Sequence, residues 1–311
     1  MKRFKNILYF ADGEQRIGNA FERAVNLARA NNAQLCVFDV LPSTSSVAEI
    51  EQRLGLTLND VLRGMRRDAL AVLVEPYVED ASQLSIKVAT GAAFVEVIRE
   101  VISGGFDLVV KAARAPGGLS ERLLGSTDMH LLRKCPCPVW VDRPSGKTAY
   151  RSILAAVDPE SPEGQDCAAK VLTLAASMAA RENAELTVVH AWHLYGESSL
   201  ESGFAKIPKT ELDDLLADTE RKHREMLDQM MEKCGLADAG YTVHLVKELP
   251  ASCIRQMCQQ VSADLIVMGT VGRCGIPGFI IGNTAEEVLQ TTQASILAVK
   301  PDAFVSPVTL S

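Results

Sequence analysis

Apolar and polar positions follow two rhythms along this chain, one of period two or less and one close to 3.6. Ile7–Ala11, Leu35–Val40 and Asp107–Val110 are short, nearly continuous apolar runs and read as buried strands. Ala20–Ala30 instead places Phe21, Val25 and Ala28 at helical spacing. After Pro42 and a Ser/Thr-rich loop, a longer helical region broken at Gly55 carries Val61, Leu62, Met65, Ala69 and Val72. Leu84–Val88 alternates as a half-buried strand, and Phe94–Ile102 is helical and stopped by Gly104-Gly105. A helix through Leu131-Leu132 and the strand Val139–Val141 complete the series.

The series then begins again. Ile153–Asp158 matches Ile7–Asp12, Ala184–Val189 matches Ala33–Phe38, and Tyr241–Val246 answers Leu84–Val88. Asp264-Leu265-Ile266-Val267 stands 157 positions after Asp107-Leu108-Val109-Val110, and at that offset Gly282 answers Gly125 and Thr284 answers Thr127. Ile296–Pro301 answers Val139–Pro144. The chain is therefore read as a duplication, with domains over 1–146 and 150–302 and a short linker containing Pro144 and Gly146. Alternating strands and helices imply an α/β fold: two tandem, doubly wound, parallel sheets with right-handed crossovers. Ligands of such sheets bind beyond the carboxyl ends of the strands, so the loops after strand one and strand four of each half should converge. In the second half an exposed loop and a long amphipathic helix lie between Gly196 and Gly235. Leu212, Leu215, Leu216, Met226, Met230 and Met231 supply apolar positions expected to pack into the core.

Length and composition agree with this division. The 311 residues exceed one ordinary core, 47% of them are hydrophobic, and the 23% that are charged suit a soluble protein. A net charge of −7 argues against nucleic acid or an anionic membrane as the main partner. No apolar stretch approaches a membrane span, and the apolar run at Ile7 is too short for a secretory signal, so a cytoplasmic location without membrane insertion is expected. The eight cysteines suggest no disulfide framework. Cys135-Pro136-Cys137 follows His130 but lacks the second ligand pair of a structural zinc site, so no metal site is assigned.

The stretch with most chemistry is Gly269–Thr284. It leaves the apolar run Asp264–Met268 and ends at the helical pattern Ala285–Leu289. A glycine-rich loop between a strand tip and a helix N-terminus lets backbone N–H groups and the helix dipole hold a phosphate, although such glycines also serve simple turns. A P-loop signature does not occur. Ala11-Asp12-Gly13-Glu14 and Val157-Asp158-Pro159-Glu160, after the first strand of each half, do not form a dinucleotide fingerprint. What occurs is an aspartate after strand one paired with a glycine loop after strand four.

In that arrangement, and in its doubling, the chain resembles the universal stress protein family in its tandem two-domain form, with an adenine-nucleotide α-hydrolase-like fold. Nucleotide-binding members carry G-x-x-G, nine residues, then G followed by Ser or Thr. Gly269, Gly272 and Gly282 meet that spacing, Asn283 departs at the position after the last glycine, and Thr284 stands beside it. The resemblance assigns Asp158 to the ribose end of the ligand, and Gly269, Gly272, Arg273, Gly282, Asn283 and Thr284 to its phosphates. In the first half Ala112 and Ala115 replace the first two glycines, Lys111 and Arg114 stand in the loop, and Gly125 and Asp12 are kept. That half is expected not to bind nucleotide in the family manner.

The resemblance implies a cytoplasmic stress-response protein whose C-terminal domain binds ATP or ADP, with or without Mg²⁺, as a regulatory ligand. No catalytic residue is assigned: His190 and His193 are the only candidates from pattern, and phosphoryl transfer asks for more. Two alternatives stay open, a slow ATPase and a module for a lipid-like or nucleotide-sugar ligand lined by the altered loop of the first half and by Phe279-Ile280-Ile281. Val139–Val141 and Ile296–Val299 are expected to pair within one chain as an intramolecular pseudo-dimer. A homodimer and a protein partner of unspecified kind stay open as well.

Overall fold

The computed structural model describes residues 4–16, 18–55, 57–77, 83–113, 124–144, 149–160, 162–201, 207–271 and 281–310. These fall into two compact units. One holds the described residues up to 144 with Ile281 and 295–310, and the other holds 149–271 and 282–294.

Unit one runs through β1 (Asn6–Phe10), α1 (Asn19–Asn31), β2 (Gln34–Leu41), α2 (Ser45–Leu54), α3 (Leu58–Val74), β3 (Leu84–Thr90), α4 (Ala93–Gly104), β4 (Leu108–Ala112), α5 (Ser126–Lys134) and β5 (Val139–Asp142). Its parallel strands lie in the order β3-β2-β1-β4-β5. β1, β4 and β5 are buried almost throughout, which is why they read as continuous apolar runs, whereas β3 sits at the sheet edge and alternates. Gly55 closes α2 with φ of 60°, where a Cβ would be strained. On α3 the buried positions are Leu70 and Val74, while Val61, Met65 and Val72 face solvent.

Unit two repeats the plan with β6 (Ser152–Ala156), α6 (Pro162–Glu182), β7 (Glu185–Trp192), α7 (Glu197–Glu201), α8 (Lys209–Lys233), β8 (Thr242–Lys247), α9 (Pro250–Gln260), β9 (Leu265–Gly269) and α10 (Asn283–Thr291). Its parallel order is β9-β6-β7-β8. Of the apolar positions expected on α8, Leu212, Met230 and Met231 are buried, and Leu215 is exposed. The last strand, β10 (Ser295–Val299), belongs to unit one, where it pairs antiparallel with β5 through Ile296–Val141, Leu297–Trp140 and Ala298–Val139. Pairing within the chain satisfies backbone groups that an apolar edge would otherwise offer to another sheet.

The duplication extends to individual hydrogen bonds. Asp107 accepts the N–H groups of Lys5 and Asn6 at 2.6 and 3.0 Å, and Asp264 accepts those of Arg151 and Ser152 at 2.7 and 3.1 Å. Each carboxylate thereby ties the start of its unit's fourth strand to the start of its first. Asn32 and Asn183 both turn left-handed after the first helix, at φ of 50° and 52°. A short polar side chain tolerates that region better than most.

Candidate functional site

In each unit the strand order reverses between the first and fourth strands, and the crevice lies beyond their carboxyl ends. In unit one that place is filled from within. Lys111, which the sequence placed in the loop, lies on β4 and is fully buried. Its ammonium meets Asp12, after β1, at 3.1 Å and the fully buried Asp128, in the first turn of α5. Asp128 also accepts the Gly125 N–H at 3.2 Å, so a carboxylate already occupies the electropositive start of this helix. Two anions on one cation offset the desolvation of the ammonium, which no single exposed partner would.

The Asp12 loop is held from the side. Asp39, on β2, accepts the Gly13 N–H at 3.1 Å and the Arg66 Nε–H at 2.6 Å, and Arg66 donates to the Glu14 carbonyl at 2.7 Å. Tyr9 donates to Glu14 at 2.6 Å. Burial pushes the Glu14 carboxyl up, while this bond and Lys111 pull against it; burial, with Glu14 next, pushes Tyr9 well up.

The equivalent place in unit two keeps the strand-one aspartate, Asp158, and lacks the other two charges. At the 157-residue offset Met268 replaces Lys111 and Ala285 replaces Asp128. Asp158 follows β6, whose Ala156 is in register with Met268. α10 opens at Gly282 without a side-chain cap. The Gly282 N–H is committed to the Thr270 carbonyl at 3.0 Å, so this glycine contributes shape and no donor. The N–H groups of Asn283, Thr284 and Ala285 have no partner among the described residues, as the first turn of a helix leaves its donors unpaired. Asn283 is exposed and Thr284 half-buried, which makes Thr284 the more inward of the two side chains. Gly269, the last residue of β9, lies close to α6: a Cβ there would be 2.8 Å from Cys167 Sγ. Gly272 and Arg273, and Phe279-Ile280 of the apolar alternative, lie outside the described residues.

The two histidine candidates part ways. His193 is exposed. His190 is buried, with Nδ1 3.0 Å from the Val157 carbonyl and Nε2 2.8 Å from Nδ1 of His223 on α8. His223 Nε2 lies 3.2 Å from Glu160, and its ring stacks on Trp192 at 5.7 Å. Burial pushes both imidazoles down from the ordinary histidine range; for His223 the ring of His190 adds to this, Asp158 opposes it, and His193 adds a smaller push. Glu160 N–H donates to Asp158 Oδ1 at 3.3 Å. Sequence reasoning missed His223, Glu160, Asp39, Arg66 and Asp128. A usable signal was the superposition of the two repeats, which sets Asp39 against His190.

Cys135 and Cys137 are buried with sulfurs 3.6 Å apart, and His130 stacks on Phe94 at 4.2 Å. Among the described residues no group of three or more His, Cys, Asp or Glu is arranged to hold a metal, and no helix is long and apolar enough to cross a membrane.

Known proteins place this architecture. Universal stress protein E of Escherichia coli K12 is 29% identical over 315 aligned positions, covering 100% of this chain and 98% of that protein. The corresponding homolog from Haemophilus influenzae is 24% identical and covers 96% and 98%. A crystal structure of a functionally unknown protein from Pseudomonas aeruginosa PAO1 superposes with a TM-score of 0.71 at 25% identity, over 97% of this chain and 94% of that one. The model of the universal stress protein family matches residues 3–143 and again 149–300. The chain belongs to the universal stress protein family, with two copies of its domain.

Proposed function

We propose that this universal stress protein binds an adenine nucleotide, ATP or ADP, in unit two alone, as a regulatory ligand of a cytoplasmic stress response and without committed catalysis. The observation that carries the reading is the contrast between the crevices. Unit one closes its own with Lys111, Asp12 and Asp128, whereas unit two has Met268 and Ala285 there and leaves a helix start with unused donors. Asp158 then meets the ribose hydroxyls, and the first N–H groups of α10, with Thr284, meet phosphate. Mg²⁺ would arrive on the phosphates, since it keeps most of its waters and asks little of the protein.

Small molecules released on denaturing the purified protein, identified by mass spectrometry, test the ligand class: adenine nucleotide supports this reading, and a lipid-like or nucleotide-sugar species overturns it. Calorimetry tests the site. Asp158→Ala removes charged hydrogen bonds of about 1.5–3 kcal/mol, so ATP should bind roughly 10- to 100-fold more weakly. A Gly282→Val protein that kept full ATP affinity would refute the proposed phosphate cradle.

A further inference from the structure

The same corner is built twice with different chemistry. The amide after the first strand bonds to the second strand in both units, Ala11 N–H to the Phe38 carbonyl at 2.9 Å and Val157 N–H to the Val189 carbonyl at 3.0 Å. The next residues on those second strands, Asp39 and His190, therefore occupy equivalent positions. In unit one Asp39 with Arg66 of α3 grips the strand-one loop through a carboxylate–guanidinium pair. In unit two His190 with His223 of α8 replaces that pair and reaches the strand-one loop at Glu160.

The Val157 carbonyl can only accept, so His190 carries its proton on Nδ1 and its Nε2 accepts from His223 Nδ1–H. Neutral His223 then turns a bare Nε2 toward the Glu160 carboxylate. Three contacts share two ring protons, and the third contact forms a hydrogen bond only when the His223–Glu160 pair takes up one more. The groups facing His223 are His190 and His193 from the β7 strand and its end, and Asp158 and Glu160 from the β6–α6 loop.

We propose that His223 and Glu160 are a proton-dependent positioning pair for Asp158: uptake of one proton ties the Asp158–Glu160 loop to α8, and its loss releases it. Glu160 transmits the state through its N–H on Asp158. With His223 held below the ordinary histidine range, the uptake falls on the acid side of about pH 6.5. The effect on ligand affinity rests on the nucleotide reading; the loop response does not.

Hydrogen exchange of the Asp158 and Glu160 amides in the ligand-free full chain, corrected for intrinsic rates, reads the loop between pH 8 and 5.5, with ring ¹⁵N shifts reporting His223. Wild-type protection should rise at least fivefold on acidification, in step with His223 protonation. Glu160→Gln donates its own amide proton to Nε2 and should show the acid level throughout, Glu160→Ala the alkaline level throughout. The Gly13 amide, held by the Asp39 carboxylate, should not respond. Equal pH profiles in wild type and Glu160→Gln overturn the proposal, as does a unit-one loop that responds alike. ATP titrations add the linkage: affinity should rise on acidification, by at most tenfold per pH unit for one proton, more in wild type than in Glu160→Gln. If ATP binds at no pH while the loop responds as stated, the pair is supported and the nucleotide reading falls.

Discussion

Replacing Lys111 by methionine tests whether unit one's crevice is filled by structural necessity. The ammonium is fully buried between Asp12, at 3.1 Å, and Asp128, itself fully buried. Lys111→Met takes the ammonium away from the buried Asp128 carboxylate. Removing one partner of a buried pair costs about 3–5 kcal/mol. The double variant Lys111→Met/Asp128→Ala reproduces the residues of unit two, Met268 and Ala285, and removes both members of the fully buried pair. Apolar replacement of a whole buried pair is often neutral or better, so the double variant should recover most of the loss. Each unit contains one tryptophan, Trp140 and Trp192, so urea unfolding followed by Trp140 fluorescence in a Trp192→Phe background isolates unit one. A single variant within about 1 kcal/mol of its parent, or a double variant no more stable than the single, would refute the argument from buried charge.

Other outcomes follow from packing and burial. Gly269→Ala places a Cβ 2.8 Å from Cys167 Sγ and should destabilise unit two by about 1–3 kcal/mol in urea, with Cys167→Ala restoring most of it. If the pair behaves additively, that contact is not why glycine stands there. Burial pushes the Cys253 thiol up to about 11, so at pH 8 roughly one molecule in a thousand carries the thiolate. Mass-mapped alkylation at pH 8 should therefore leave Cys253 unmodified under conditions that label an ordinary exposed thiol, and rapid labelling would contradict its burial.

Period and repetition in the sequence were enough for the two-fold α/β plan, because strands buried on both faces must be apolar throughout and an amphipathic helix must repeat its apolar face. Asp12 and Asp158 were legible as strand-end carboxylates, and Ile296–Val299 as a strand able to meet Val139–Val141, since edge strands need partners. Side-chain direction was not legible. Lys111 beside two alanines reads as a loop cation, and only β4's place next to β1, with α5 beyond, turns it inward onto Asp12 and Asp128. The Gly282 amide looked available until the chain brought the Thr270 carbonyl to it. His190 and His223 are 33 positions apart and meet because α8 lies on β7, a packing decision that no local pattern records. Residue types and spacing thus sufficed for the repeated scaffold and its two candidate crevices. That unit one's crevice is filled by Lys111 was decided by where the tertiary fold sent a few charged side chains, because charge taken out of water must find its counter-charge in space rather than along the chain.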